Sequence, residues 1–102
     1  MPKRKRIEEP TEVREVPLPG PGEVLGVVIQ MLGGDKVRVK CVDGYTRLCR
    51  IPGKMRKRIW IKEGDIVVVA PWDWQFETRG DITWRYTKAQ ARWLEEKGLL
   101  KF

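Results

Sequence analysis

The amino-acid sequence predicts an all-β domain, a small closed barrel of five short strands followed by a single α-helix. Five runs rich in β-branched residues follow one another, and glycine-containing turns or short polar segments separate them. Only one segment, after Tyr86, carries the start and stop signals of a helix. The chain has 102 residues, which is the length of one domain.

The first three strands are predicted from side-chain alternation and turn residues. The run EVLGVVIQML ends at Gly33-Gly34, and DKVRVKCV then alternates with a period of two. Asp43-Gly44 separates this run from YTRLCRI, which is typical of a β-hairpin with a two-residue turn. Gly26, midway along the first strand, suits a bend that lets one strand serve both sides of a barrel.

Two further strands and the helix complete the predicted elements. Glu63-Gly64 marks a turn before the apolar strand DIVVVAPW, and the polar loop DWQFETRG then leads to the alternating strand DITWRY. Thr87 and Gln90 have the spacing of a capping box, which predicts a helix of about ten residues. Gly98 is placed for the C-cap of that helix.

These elements predict three segments of the chain. Residues 1–22 carry the tetrad KRKR and five prolines, so we expect a flexible basic and proline-rich tail. The tetrad either grips phosphate or is simply solvated. Residues 23–87 match a five-stranded oligonucleotide-binding (OB) barrel, with an SH3-like barrel as the structural alternative. Residues 88–102 form the C-terminal helix and an apolar end.

The composition excludes several function classes. The chain has no histidine and two cysteines, so a structural zinc site within one chain is not expected. It also has no serine, which removes the usual catalytic triads, and we expect a non-enzymatic protein without a cofactor. The N-terminus lacks the apolar segment of a secretory signal, and no run is long enough to span a membrane. We therefore expect a cytoplasmic monomer.

The predicted hairpin assigns side chains to two faces. With Asp43 and Gly44 as the turn, Lys40 faces Arg47, and like charges placed directly opposite each other are destabilising. A bound anion would relieve this pair; solvation of splayed side chains is the alternative. The predicted inward set is Val37, Val39, Cys41, Thr46 and Leu48, and the predicted outward set is Lys36, Arg38, Lys40, Arg47 and Cys49. The two cysteines then point to opposite faces and are expected to be free thiols.

Positive charge is concentrated in the middle of the chain. The segment Lys36–Lys62 holds ten basic residues and one acid, Asp43, so its net charge is +9, against +7 for the whole chain and −2 for the remainder. A basic surface that only aids solubility would spread its charge. This concentration instead indicates a nucleic-acid site, and its centre is the loop containing Lys54, Arg56, Lys57 and Arg58.

Aromatic side chains lie in or near this segment. Trp60 either stacks on an unpaired base or plugs the end of the barrel, and Met55 adds apolar surface beside it. Trp84 alternates with Ile82 and Tyr86, so it belongs either to the core or to a stacking surface. We expect Trp93 to dock the helix on the barrel, whereas the roles of Trp72 and Trp74 stay open.

The stretch DGYTRLCRIPGKMRKRIWIKEGDIVVV resembles the central signature of the translation initiation factor 1A family in its archaeal form. The GKMRK core, followed by a Gly-Asp turn and a valine-rich strand, is also similar to the bacterial counterpart, initiation factor one. The resemblance runs from about Glu23 to the C-terminal helix. It implies an OB barrel that binds the aminoacyl-tRNA site of the small ribosomal subunit and aids the positioning of initiator tRNA and mRNA.

The resemblance also assigns functional residues. By motif it implies that Lys54, Met55, Arg56, Lys57, Arg58 and Trp60 contact ribosomal RNA, with Arg47 and Arg50 at basic positions of the preceding strand. Lys36, Arg38 and Lys40 are added from the predicted outward face, and Lys62 ends the basic segment. Together these twelve residues are the predicted RNA-binding set.

The sequence differs from eukaryotic members of the family at its C-terminal end, and it also allows two other functional classes. The chain lacks the long acidic C-terminal tail by which eukaryotic members engage a partner GTPase, so a contact with a translational GTPase or another initiation factor needs a different surface. Leu99, Leu100 and Phe102 are the candidates. The main functional alternative is a sequence-tolerant single-stranded RNA-binding protein or RNA chaperone of cold-shock type. A protein-interaction adaptor that uses the apolar C-terminus is a third class.

Overall fold

The computed structural model describes residues 16–56 and 60–102, and for Arg56 it describes the backbone alone. Its strands are β1 (Val24–Met31), β2 (Lys36–Cys41), β3 (Thr46–Arg50), β4 (Ile66–Pro71) and β5 (Arg79–Arg85), and its helices are α1 (Gly53–Arg56) and α2 (Lys88–Glu96). The strands close into a barrel in the order β1-β2-β3-β5-β4. All neighbours are antiparallel except β3 and β5, which run parallel. The predicted all-β OB barrel with a C-terminal helix is confirmed.

The barrel has an apolar interior and a second apolar cluster on its outer surface. Inward side chains of every strand fill the interior, among them Val28, Val39 and Ile82. Helix α2 lies on the outer side of β1 and β4, where Leu94 packs with Leu25 and other outward residues of these strands. Trp93 also packs against this second cluster, which confirms the expected docking role.

Gly26 permits β1 to pair with two strands at once. It lies opposite Cys41 of β2 and opposite Val67 of β4. A Cβ atom at this position would lie 2.4 Å from Cγ1 of Val39 and 3.1 Å from the carbonyl oxygen of Lys40. The close approach of the backbones therefore excludes any side chain, in agreement with the predicted bend.

The β2–β3 hairpin differs from the prediction by one residue. Lys40 pairs with Thr46, and Val39 pairs with Arg47. The turn has three residues, since Cys41 N donates to the carbonyl of Tyr45 and Gly44 N donates to the carbonyl of Cys41. Gly44 adopts a φ of 95°, the left-handed conformation that such a loop requires.

The shift by one residue reverses the faces of β3, as expected for a period of two. The outward row of β2 is as predicted, but Arg47 and Cys49 point inward, while Thr46, Leu48 and Arg50 point outward. The predicted opposition of Lys40 and Arg47 is therefore wrong. The like-charged residues that stand opposite each other are Lys36 and Arg50.

Both cysteines are buried in the barrel interior, so the prediction that they point to opposite faces is also wrong. They are free thiols, as expected. Burial raises the pKa of Cys41, and burial raises the pKa of Cys49 to about 12. The thiolate is the reactive form of cysteine, and the fold disfavours it at both positions.

Helix α2 begins and ends as the sequence predicts. Thr87 Oγ1 accepts a hydrogen bond from Gln90 N, and the Gln90 side chain accepts one from Thr87 N, which completes the capping box. Gly98 has a φ of 74°, and Leu99 N donates to the carbonyl of Leu94. These bonds form a Schellman motif that ends the helix.

The chain before β1 is held against the barrel where the structure describes it. Residues 16–22 form no helix or strand, but Val16 packs on the second apolar cluster and the Tyr86 hydroxyl donates to the carbonyl of Pro17. Residues 16–22 of the predicted tail thus contact the barrel, and the remainder, with the KRKR tetrad, lies outside the described residues. Neither helix in the described ranges has the length and apolar character needed to cross a bilayer.

Candidate nucleic-acid interface

Five exposed cations lie side by side on neighbouring elements, and we call them the basic surface. They are Lys36, Arg38, Lys40, Arg50 and Lys54. The first three alternate along the outer face of β2, and Arg50 stands opposite Lys36 at the end of β3. The chain then reaches Lys54 in α1 within four residues of Arg50.

The β2 row keeps most of its charge unneutralised. Lys36 Nζ lies 3.0 Å from Oδ1 of Asp35, an exposed ion pair that contributes little binding energy. Arg38 Nε donates to the uncharged Gln30 at 3.2 Å. Lys40 has no hydrogen-bond or ion-pair partner among the residues that the structure describes. Anionic ligands can therefore approach this row at little cost.

Arg50 is held in a fixed orientation. Its Nη2 lies 3.0 Å from Oδ2 of Asp81, and its guanidinium lies 5.7 Å from the ring centroid of Trp72. The Trp72 indole nitrogen donates to the other oxygen of Asp81 at 2.9 Å. About half of the Arg50 side chain stays exposed, so a pre-oriented guanidinium remains available to an anion. Trp72, whose role the sequence left open, thus positions Arg50.

An apolar groove with a volume of about 500 Å³ lies between α1 and β5, next to the basic surface. Its walls come from Pro52, Lys54, Met55, Asp81, Ile82, Thr83 and Trp84. A β-bulge between Val68 and Val69 shifts the register of β5, so Trp84 turns outward although Ile82 and Tyr86 are buried. Trp84, which the sequence assigned either to the core or to a stacking surface, therefore lies at the surface.

Trp60 is 88% exposed, so it does not plug the barrel. Ile61, the next residue, is buried in the barrel interior and fills that position instead. Trp60 thus offers a whole indole face to a ligand. Arg56 is the last residue of α1, but its side chain lies outside the described part of the chain. Lys57 and Arg58 lie outside it altogether, and their predicted contacts stay predictions.

Lys62 is exposed but partly neutralised. Its Nζ lies 3.4 Å from Oδ1 of Asp65, and its backbone nitrogen donates to Oδ2 of the same carboxylate. Arg85 Nη1 also approaches Asp65, at 3.8 Å. Asp65 therefore reduces the attraction of Lys62 for an anionic ligand, as Asp35 does for Lys36 and Asp81 does for Arg50.

Arg47 is not part of the basic surface, because its side chain is only 1% exposed. Its Nη1 and Nη2 donate to the two carboxylate oxygens of Asp43 at 3.1 and 2.8 Å, and its Nε donates to the carbonyl of Phe76 at 2.6 Å. The hydrogen bonds from Arg47 hold the pKa of Asp43 below its usual value. Arg47 therefore joins the β2–β3 turn to the β4–β5 loop.

The sequence did not identify the exposed aromatic side chains of the β4–β5 loop as a site. Trp74 is 83% exposed and Phe76 is 48% exposed, and Phe76 lies near Tyr45 of the β2–β3 turn. Two aromatic residues in the short polar stretch DWQF were the available signal. In the described ranges, no three His, Cys, Asp or Glu side chains are placed to hold a metal ion.

Comparison with known proteins decides the family. Residues 13–102 match the family model described as Translation initiation factor 1A / IF-1. The chain belongs to the translation initiation factor 1A family. Its function is therefore in the initiation of translation.

Individual members of the translation initiation factor 1A family confirm the assignment. The chain is 58% identical to translation initiation factor 1A of Methanopyrus kandleri over 94% of this chain and 85% of the relative. It is 55% identical to the factor of Methanothermobacter thermautotrophicus, over 94% of this chain and 97% of the relative. The solution structure of initiation factor one from the Wolbachia endosymbiont of Brugia malayi matches with a TM-score of 0.50 and 32% identity. That match covers 69% of this chain and 83% of the other.

Proposed function

We propose that this protein binds the small ribosomal subunit at the aminoacyl-tRNA site through ribosomal RNA contacts, and so aids the positioning of initiator tRNA and mRNA. The observation that carries the proposal is the continuous basic surface on β2, β3 and α1. Family membership supports the role in initiation. The site on the subunit rests on the sequence resemblance, and contact with RNA rests on the charges.

The arrangement of charge favours phosphate contacts. Lys36, Arg38 and Lys40 alternate along one strand, so their side chains repeat every two residues, about 6–7 Å apart. That spacing is close to the distance between successive phosphates of an extended nucleic-acid strand. Arg50 continues the row across the hairpin in an orientation fixed by Asp81. Phosphate contacts position a protein on RNA, and they make its affinity depend on salt.

Two apolar features support recognition of unstacked bases beside these contacts. Trp60 presents an exposed indole, and stacking on one base is worth about 1–3 kcal/mol. The groove between Met55 and Trp84 offers apolar walls with Lys54 at its edge. Proteins recognise folded RNA by backbone contacts and by bases that leave the stack, which matches this combination.

The outer face of the β2–β3 hairpin favours folded RNA over the cold-shock alternative. Cold-shock proteins stack successive bases on aromatic side chains of this face. Here the outward strand positions are Lys36, Arg38, Lys40, Thr46, Leu48 and Arg50, none of them aromatic. The face therefore suits phosphate groups better than a row of stacked bases.

A salt titration tests the phosphate contacts. We expect the variant with Lys40→Ala and Lys54→Ala to bind purified small subunits more weakly than the parent chain. Because two phosphate contacts are lost, the slope of log affinity against log salt should fall by about two between about 50 and 200 mM salt. The matched control, Lys88→Ala with Arg92→Ala, removes the same charge from exposed positions of α2. Equal effects of the two variants, or unchanged binding by the first, would refute the proposal.

Chemical footprinting tests the position on the subunit. We expect the protein to protect nucleotides of the aminoacyl-tRNA site, and we expect Trp60→Ala to lose part of that protection because the exposed indole is removed. Protection confined to another region of the small-subunit RNA would contradict the proposed site while leaving RNA binding intact.

A contact with a translational GTPase stays a proposal as well. Leu99 and Phe102 are exposed at the C-terminal end, whereas Leu100 packs on the second apolar cluster. A variant that ends at Gly98 should keep its affinity for the small subunit and lose affinity for the GTPase. Loss of subunit binding would show instead that this end belongs to the subunit contact.

A further inference from the structure

The barrel end formed by the β2–β3 turn and the β4–β5 loop carries three exposed aromatic side chains, which we call the aromatic tip. They are Tyr45, Trp74 and Phe76. We propose that the aromatic tip is a docking site for a basic protein segment, one that carries arginine and lysine side chains, and that it lies at the other end of the barrel from Arg50 and Lys54.

Two of the three side chains contact each other, and the third is presented by the same loop. Tyr45 and Phe76 meet edge to face, with ring centroids 6.3 Å apart. Trp74 is two residues from Phe76 in the same loop and is the more exposed of the two. Aromatic side chains are enriched at the centres of protein interfaces, because they bury a large area with little loss of conformational entropy.

The loop that presents Trp74 has a defined, hydrogen-bonded conformation. Gln75 adopts a φ of 57°, which is uncommon for a residue with a side chain. Its carbonyl oxygen accepts hydrogen bonds from the backbone nitrogens of Thr78 and Arg79, both at 2.9 Å. Arg47 Nε fixes the next carbonyl, that of Phe76. A strained, hydrogen-bonded loop that exposes an indole indicates a binding role, because folding alone gains nothing from that exposure.

Charge decides the class of partner. Residues 42–46 and 71–78 contain Asp43, Asp73 and Glu77 but no lysine or arginine. Asp43 is already paired with Arg47, whereas Asp73 and Glu77 are exposed and form no ion pair within the described part of the chain. Lys40, Arg47 and Arg79 border the two segments, so the acidic character is confined to the surroundings of Asp73 and Glu77. These two carboxylates disfavour phosphate beside Trp74. They attract cations, and an arginine or lysine that pairs with Glu77 can also stack on Trp74.

The aromatic tip and the basic surface can be occupied together. Strand β3 runs from the tip at Tyr45 to α1, and its five residues span about 15 Å at about 3.3 Å per residue. The tip therefore lies at the opposite end of the barrel from Arg50 and Lys54, whereas Lys40, which pairs with Thr46, borders the tip. A protein that holds RNA at Arg50 and Lys54 still presents the aromatic end to a second partner.

A short synthetic peptide of alternating arginine and glycine is the direct probe. With the full-length chain, we expect this peptide to shift the amide NMR signals of the tip, including Trp74 and Phe76, and to leave those of Lys36, Arg50 and Lys54 unchanged. Trp74→Ala should weaken peptide binding about two- to fivefold, because one exposed cation–π contact is lost. Asp73→Lys together with Glu77→Lys should abolish it. Circular dichroism checks that the variants are folded.

Two controls separate this inference from the proposed function. Lys36→Ala with Lys54→Ala should leave peptide binding unchanged, and a short single-stranded RNA should shift the amide signals of Lys36, Arg50 and Lys54 and not those of Trp74 and Phe76. A photo-crosslinking side chain at position 74, tested on purified small subunits, should label a basic protein segment. Labelling of RNA at this position, tip signals shifted by RNA, or peptide affinity unaffected by Trp74→Ala would each overturn the inference, whatever the outcome of the salt titration.

Discussion

Arg47 is a buried charged residue that holds the β2–β3 turn and the β4–β5 loop together. Its guanidinium makes three hydrogen bonds, two to Asp43 and one to the carbonyl of Phe76. We expect Arg47→Ala to lower the free energy of unfolding by about 2–4 kcal/mol, because it leaves a cavity and removes the donors of buried and half-buried acceptors. Urea denaturation followed by tryptophan fluorescence measures the change.

Arg38→Ala is the matched control for this prediction. Arg38 is exposed on β2 and donates only to the Gln30 side chain, so its loss should change stability by about 0.5 kcal/mol or less. If the two variants had equal stabilities, Arg47 would not have the organising role that its contacts indicate.

The ion pair between Asp43 and Arg47 makes the stability of the protein depend on pH. Its pKa lies below the ordinary value of 3.8, mainly because Arg47 donates hydrogen bonds to the carboxylate. The stabilisation is therefore complete above pH 3.8 and is lost as the pH falls through the lower folded-state value. We expect Asp43→Asn to be less stable than the parent at neutral pH, and the difference to shrink as the pH falls below the ordinary pKa of the carboxyl group. Urea denaturation at a series of pH values tests this, and a difference that stays constant would contradict it.

The sequence could not fix which side chains of β3 point inward. The strand TRLCR alternates in either phase, with Thr46 and Leu48 inside or with Arg47 and Cys49 inside. The apolar content of the two sets is similar, so the assumed two-residue turn at Asp43-Gly44 decided the prediction. The turn has three residues instead, and a partner in the β4–β5 loop, distant in sequence, satisfies the inward guanidinium of Arg47.

Among the secondary-structure elements, β1 depends on Gly26, because the strand pairs with both β2 and β4 at this residue. The missing side chain lets β1 approach both β2 and β4. We expect Gly26→Ala to cost about 1–3 kcal/mol of stability, since the new Cβ would overlap Val39 and press on the Lys40 carbonyl. Thermal unfolding followed by circular dichroism measures the loss.

Gly20→Ala provides the comparison. A Cβ there meets only the end of the flexible Glu23 side chain, at 3.4 Å. Stability should change by about 0.5 kcal/mol or less. A Gly26→Ala variant as stable as the parent would show that β1 can move away from β2 without loss.

Secondary structure was the part of the fold that could be predicted best from the sequence. All five strands and helix α2 lie within a few residues of their predicted positions, because alternation, turn glycines and the capping box are local signals. The short helix α1 and the bulge that turns Trp84 outward were not predictable in this way. The bulge depends on how β5 pairs with β4, which no local pattern records.

At the scale of the whole molecule, the two cysteines report on the opening of the barrel. Burial raises the pKa of both thiols, that of Cys49 to about 12, and both lie in the same interior cluster. We expect a chromogenic thiol reagent at neutral pH to modify both residues together and no faster than the barrel unfolds. The rate should rise with urea in parallel with unfolding.

The control for thiol access is Tyr45→Cys, which places a thiol at an exposed position of the aromatic tip. That thiol should react at once in the folded protein. Rapid modification of Cys41 or Cys49 while the circular dichroism spectrum stays native would show that the interior opens locally.

The position of the candidate site was predictable from the charged residues, but the arrangement of its side chains was not. The concentration of cations between Lys36 and Lys62 was enough to locate the basic surface along the chain. It could not show that Arg47 is withdrawn into the barrel wall, that Asp65 partly neutralises Lys62, or that Asp81 orients Arg50. Those outcomes depend on carboxylates and carbonyls that the fold brings from other parts of the chain.

The contact between the Tyr86 hydroxyl and Pro17 has a practical consequence. Val16 and Leu100 both pack on the apolar cluster beneath α2, so the polypeptide enters and leaves the barrel on one side. A linker can therefore join these two points, and a circularly permuted chain opened at the exposed turn Gly33-Gly34 should still fold. For the same reason, fluorophores or affinity handles attached near either point project from the α2 side and leave the outer face of β2 and β3 clear.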